Sequence, residues 1–138
     1  MCVFCRIVKG ELPAAIIYRG KHTLGILDIN PVNRGHSLII SREHYSNIVE
    51  VPDEVLCEAI KAAKLIAVRL KRNLQAEGIN LFQTNGRAAG QEIEHFHLHV
   101  IPRFSGDGTK FRFNIRKYAS EDEKNAIREL LEINSMEE

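Results

Sequence analysis

The amino-acid sequence predicts an α+β fold: a five-stranded, mostly antiparallel sheet with one long helix and a C-terminal helix. Three observations predict it. Short β-rich runs follow one another through residue 41 and return at 79–84 and 95–101. One long helical pattern separates the early strands from the late ones. A second helix signal follows the last strand. Strands in sequence order broken by a single long helix favour an α+β layer over alternating parallel units.

The elements follow in order. Residues 4–9 read as a short turn or helix, interrupted by Gly10 and Pro13. Residues 14–18 and 23–27 read as strands, with Arg19-Gly20-Lys21 as the hairpin-like break between them. The run from Asn30 and Pro31 to Arg34 and Gly35 is a turn cluster, and 36–41 is β-rich around Leu38, Ile39 and Ile40. Pro52 suits a first helical turn, and Asp53 and Glu54 favour the positive end of the helix dipole. Leu56, Ala59, Ile60, Ala63, Ile66, Ala67 and Leu70 then recur at three- and four-residue steps and define the expected buried face. Gly78 is the expected end of this helix, and Cys57 within it is expected to be buried and inert. Residues 79–84 and 95–101 read as strands, with a loop at 85–90. Ser120 with Glu123 makes a capping-box start for the last helix, with Ile127, Leu130, Leu131 and Ile133 as its apolar side.

A chain of 138 residues suggests a single domain over 1–138 that can bury its own core. Lys+Arg of 19 against Asp+Glu of 18 leaves a formal charge of +1, so no global field favours nucleic acid or a membrane surface. Any anion must be held by a local site. No apolar run approaches the length of a membrane span, and the N-terminal residues lack a secretion-signal pattern, so a cytoplasmic location is expected. Cys2 and Cys5 form a Cys-x-x-Cys, which in such a compartment reads as metal or redox chemistry before structural disulfide.

The most informative segment is His95-Phe96-His97-Leu98-His99-Val100. On a strand, alternate side chains share a face, so three imidazoles line one face and the apolar residues the other. The apolar face is core; the imidazole face borders a cavity or solvent. Residues four apart on a strand are roughly 13 Å apart, too far for both end histidines to reach one ion. At least one histidine therefore has a separate task. A decorated surface strand and a two-histidine metal hydrolase site both remain open on these residues alone.

The same segment, extended through Gly90-Gln91 and Pro102-Arg103, resembles the signature of the histidine-triad family. Leu27-Asp28-Ile29-Asn30-Pro31, Gly35-His36-Ser37-Leu38-Ile39-Ile40 and Asn85-Gly86 resemble its upstream blocks and ligand loop. The likeness runs from about Cys2 to Arg103. It implies a nucleotide-binding hydrolase or transferase acting at the α-phosphate of purine nucleotide derivatives, and a homodimer. By position, His97 is implied as the nucleophile, one ring nitrogen held by a backbone carbonyl and the other aimed at phosphorus. A neutral imidazole can attack near neutral pH without a separate deprotonation. His99 is implied as the donor to a phosphate oxygen, His36 as its support and Gln91 as a group at the scissile side. Asp28 is implied as the acceptor for ribose hydroxyls and Asn85 as an orienting residue of the ligand loop. Gly90, having no side chain, lets backbone N–H groups approach phosphate. Ile29, with Phe4, Ile7 and Ile26, is a candidate for the base pocket, though these four read as ordinary core first. Glu92 departs from the pattern, standing where many members carry Ser or Thr. An ionised carboxylate cannot donate to phosphate, so substrate preference is where this chain is expected to differ.

The resemblance also implies a structural zinc held by Cys2, Cys5, His44 and His95, against the alternative of a free cysteine pair. Three functions are separable on these expectations. An enzyme needs a covalent intermediate on His97. A binding module holds nucleotides without turnover. A metal-dependent hydrolase loses activity, not only stability, on chelation. The stretch 104–118, basic at Lys110, Arg112, Arg116 and Lys117, reads as a solvated face before it reads as a contact for a substrate tail or a second subunit.

Overall fold

The structure is a computed structural model and describes residues 2–135. The first compact unit ends at Gly108 and the second begins at Thr109. The first contains α1 (Val3–Val8), β1 (Ile16–Arg19), β2 (Thr23–Leu27), β3 (Ser37–Ser41), α2 (Asp53–Leu74), β4 (Gly78–Phe82) and β5 (His97–Arg103). The strands form one antiparallel sheet in the order β1-β2-β3-β5-β4. No helix among the described residues is long and apolar enough to cross a membrane.

The alternation in β3 and β5 divides the core. Ile39 pairs with Leu98, and both pack with Val100 and Phe96 under α2. Leu38 pairs with His99 and Ile40 with His97, which puts those histidines on the opposite face. There Leu38 and Ile40 pack with Phe4, Leu24 and Ile26. The face carrying the imidazoles is thus roofed by α1, whose Phe4 ring lies edge-on to His97 at 5.1 Å.

The buried side of α2 is rotated from the expected stripe. Val55, Ala59, Ala62, Ala63, Ile66 and Leu70 are buried, whereas Ile60 is exposed. Three alanines on one side leave little side-chain bulk between the helix and the sheet, so the small residues set the contact line and Ile60 falls outside it. Cys57 is also exposed, contrary to the expectation that it is buried. The helix stops four residues before Gly78: Gln75 adopts the left-handed conformation at φ 55° and its side chain donates to the Arg72 carbonyl at 3.1 Å. Gly78 instead opens β4.

The turn before β3 is fixed from two sides. Gly35 has φ +96°, and a Cβ there would lie 2.8 Å from Leu70 and from Leu74 of α2. Asn33 donates to the Pro102 carbonyl and to Asp107, which also receives Arg103 at 2.8 Å. This network ties the turn to the end of β5.

In the second unit, α3 (Glu121–Leu131) starts as the capping signal predicts. Ser120 accepts from the Glu123 N–H at 3.1 Å, and Glu123 accepts from the Ala119 N–H at 3.1 Å. Leu130, Leu131 and Ile133 are exposed, and residues 109–119 have no regular secondary structure.

Candidate active site

A cavity of about 780 Å³ opens between α1, the end of β2 and the start of β5. His97, His99, His36 and Asp28 line one part of it, and Phe4, Ile7, Ile26 and Ile29 the apolar part. Ile29 is 90% exposed, an unusual state for an isoleucine that leaves its surface available to a ligand.

The hydrogen bonds assign a tautomer to each ring. His97 Nδ1 lies 2.7 Å from the His95 carbonyl. A carbonyl only accepts, so Nδ1 carries the proton, and in the neutral ring Nε2 keeps its lone pair. His36 Nδ1 accepts from the Val32 N–H at 3.0 Å, which puts the His36 proton on Nε2. That Nε2–H donates to His99 Nδ1 at 2.9 Å, with the Asp28 carboxylate 3.5 Å away. His99 Nδ1 is therefore an acceptor, and His99 Nε2 bears a proton. The cavity receives a lone pair from His97 and a donor from His99.

Neutral rings are what the surroundings favour. Burial holds His97, His36 and His95 below the ordinary histidine value, against weaker raising contributions from neighbouring hydrogen bonds or from Asp28. Burial, reinforced by the adjacent His97 and His36, lowers His99 to about 4. The close approach of Asp28 to His36 is accordingly a contact between a carboxylate and a neutral ring rather than an ion pair.

His95 lies just ahead of β5 rather than on it, since the regular strand begins at His97. The Phe96 N–H donates to the Tyr45 carbonyl at 2.6 Å, outside the ladder. His95 Nε2 donates to the Ser41 carbonyl at 2.8 Å, so its Nδ1 presents a lone pair. Cys2 Sγ is 3.3 Å and Cys5 Sγ 3.5 Å from that Nδ1, and His44 Nδ1 is 3.4 Å from Cys5 Sγ. All four donor atoms lie within 4.8 Å of one another. Tetrahedral zinc, with bonds of about 2.3 Å to sulfur and 2.0–2.1 Å to nitrogen, puts sulfur and nitrogen ligands roughly 3.6 Å apart. The donor set fits that geometry. Burial and the adjacent Cys2 raise the Cys5 thiol. Asp28, His36 and His99 form a second such group of atoms; His97 belongs to neither.

The remaining expected residues are braces within the ligand loop. Gln91 is buried: its carbonyl accepts from the Gly86 N–H at 2.7 Å and its amide donates to the Ser46 and Ile93 carbonyls. Asn85 accepts from the Ile48 N–H at 2.8 Å and exchanges hydrogen bonds with Gln83. Neither lines the cavity, whereas Gly90 does, at φ +93°, a conformation that suits glycine alone. Asp28 accepts from the Asn30 N–H through one oxygen while it faces His36. Ser41, Val32, Phe82 and Thr84 were not singled out from the sequence. Ser41 and Val32 act through backbone groups, which no side-chain motif reveals.

A profile of the HIT domain family matches residues 9–106, and the chain belongs to this family. It is 46% identical over 123 residues to an uncharacterised HIT-like protein of Methanocaldococcus jannaschii, covering 89% of this chain and 95% of that one. An adenylylsulfatase of Arabidopsis thaliana is 38% identical over 125 residues, covering 91% of this chain and 64% of its own. An adenosine 5'-monophosphoramidase of Saccharomyces cerevisiae is 38% identical over 102 residues, covering 74% and 62%. The crystal structure of a zinc-bound histidine triad family protein from Mycobacterium smegmatis superposes with a TM-score of 0.76 at 41% identity, covering 82% of each chain.

Proposed function

We propose that this chain is a nucleotide hydrolase or nucleotidyltransferase that cleaves purine nucleotide derivatives at the α-phosphate through a covalent bond to His97. One observation carries the reading: His97 Nδ1–H is spent on the His95 carbonyl at 2.7 Å, which leaves a buried Nε2 lone pair at the cavity. The relatives named for hydrolysis of adenylyl compounds support the same class.

In this reading the base and ribose occupy the apolar part and the Asp28 side, and phosphate meets the histidines. His97 Nε2 attacks the α-phosphorus as the bond to the leaving group breaks. His99 Nε2–H donates to a non-bridging oxygen, where charge accumulates in the transition state. The His36 Nε2–H fixes the His99 ring in the tautomer that can do so. Water or another acceptor then displaces His97. Gln91 and Asn85 contribute by holding the ligand loop so that Gly90 can bring its backbone to phosphate.

Cys2, Cys5, His44 and His95 would hold a structural zinc. Bound there, zinc supplies a closed tetrahedral tie between α1 and the entrance to β5. The His95 carbonyl that positions His97 belongs to one of its ligands, so the tie also steadies the nucleophile. The working form in this reading is a homodimer, with residues 1–138 acting as one domain.

A panel of adenosine and guanosine donors tests the reading: phosphoramidates, dinucleoside polyphosphates and nucleotidyl sulfates. His97→Ala should lower turnover by at least about a thousandfold while nucleotide affinity survives. Wild-type rates in the variant on every donor would show that His97 is not the nucleophile. Nucleotide binding with no turnover by the wild type would leave a binding module instead.

A further inference from the structure

We propose that Glu92 is a specificity residue that selects nucleoside phosphoramidates whose leaving amine carries a positive charge, over dinucleoside polyphosphates. This rests on the reading of the cavity as an α-phosphate site and deepens it.

The argument is a census of charge. Among the described residues, the ionisable groups lining the cavity are Asp28, Glu92, His36, His97 and His99, with no lysine or arginine. The hydrogen bonds of His36 and His99 require neutral rings: His36 Nδ1 accepts from the Val32 N–H, and its Nε2–H donates to His99 Nδ1. Asp28 is engaged with the Asn30 N–H and faces His36. Glu92 is exposed and makes no hydrogen bond or ion pair among the described residues. It lines the cavity together with Gly90, Ile93, Phe82 and Thr84, and the Phe82 ring lies 5.8 Å from that of His99. The unpartnered carboxylate thus lines the same cavity as His97 and His99, and the proposal sets it against the leaving group of a phosphate held by those rings.

A polyphosphate leaving group would bring several negative charges into a cavity with two carboxylates and no fixed cation. Nothing in the lining offsets that repulsion. An amine with a cationic tail places its charge against Glu92 instead. The chemistry balances with the groups present and solvent. The bond from His97 Nε2 to phosphorus forms as the P–N bond breaks. The P–N electron pair stays on nitrogen, which takes a proton from solvent and leaves as the amine. Water then attacks phosphorus and gives a proton to solvent. The P–Nε2 pair returns to His97, and the nucleoside monophosphate is released.

The test uses the zinc-loaded full chain and three donors: the adenosine phosphoramidate of diaminobutane linked through one nitrogen, that of butylamine, and diadenosine tetraphosphate. Wild type should prefer the diaminobutane donor. Glu92→Gln should lower its kcat/KM relative to the butylamine donor by about two- to fivefold, the scale of one solvent-exposed charge pair. The tetraphosphate should gain on both. Glu92→Asp should keep part of the preference. An unchanged ratio in Glu92→Gln, or a wild type that prefers the tetraphosphate, overturns the proposal.

Dissociation constants for the two phosphoramidates in the His97→Ala background, with and without Glu92→Gln, read the same selection without chemistry. Turnover with ratios indifferent to Glu92 refutes only this inference. An affinity ratio that shifts with Glu92 while no donor is turned over supports it and refutes the catalytic reading.

Discussion

His97 and His99 differ in chemistry because their partners differ: a carbonyl accepts from one ring, and His36 donates to the other. The histidine types and their two-residue spacing were legible in the sequence, as was the need for one of the three to serve elsewhere. The tautomers were not, because the Val32 N–H and the carbonyls of His95 and Ser41 decide them. Gln91 and Asn85 were legible as loop residues, but the destinations of their amides depend on how the 46–48 segment folds back. Burial of neutral rings has a measurable consequence. His99 sits at about 4 in the folded chain and near 6.5 when unfolded. Between those values the unfolded chain binds a proton that the folded chain refuses, so stability falls as pH falls through this window. Chemical denaturation at pH values of about 7 and 4.5 should give a lower midpoint in acid, with a shallower dependence in His99→Gln. Identical dependence in the variant and the wild type would remove His99 from this account.

At the scale of elements, α1 is too short to persist alone, and Cys2 at its N-cap makes no side-chain cap hydrogen bond. Its burial of Phe4 and the four-ligand cluster hold it over the triad. The Cys-x-x-Cys was legible from sequence as metal or redox chemistry, while the partners His44 and His95 rested on family resemblance. The protein should carry about one zinc per chain, and Cys2→Ser with Cys5→Ser should remove it. Loss of the ion should lower the thermal midpoint by at least about 5 °C, because ligand binding to the folded state is folding free energy. Metal analysis finding no zinc, or equal melting of the variant and the wild type, contradicts the assignment. For α2, a period of three and four residues located the helix but not the rotation of its buried face. That rotation follows from where alanines allow close approach, which the pattern of apolar residues alone does not encode.

For the whole molecule, the number of strands, their antiparallel pairing and the place of the long helix followed from the order of β-rich and helical runs. The order β1-β2-β3-β5-β4 did not, since it depends on β5 entering between β3 and β4. That insertion is what places His97 beside Ile40 and His99 beside Leu38. It also leaves β4 at an edge, with Leu81 exposed there and Ile60 exposed on α2. An edge strand with apolar side chains invites pairing, which supports the homodimer of the proposed function. Sedimentation should give twice the 15.7 kDa chain mass, and Leu81→Glu should shift it toward one chain. A monomeric wild type at micromolar concentration would contradict the dimer.

The most direct measurement is mass spectrometry of the protein quenched in acid-free denaturant during turnover of an adenosine phosphoramidate, followed by peptide mapping. The account requires an adenylyl group on the peptide containing His97, attached to its imidazole and absent from His97→Ala. Turnover with no adduct on any residue, or an adduct on another side chain that persists in His97→Ala, would contradict it.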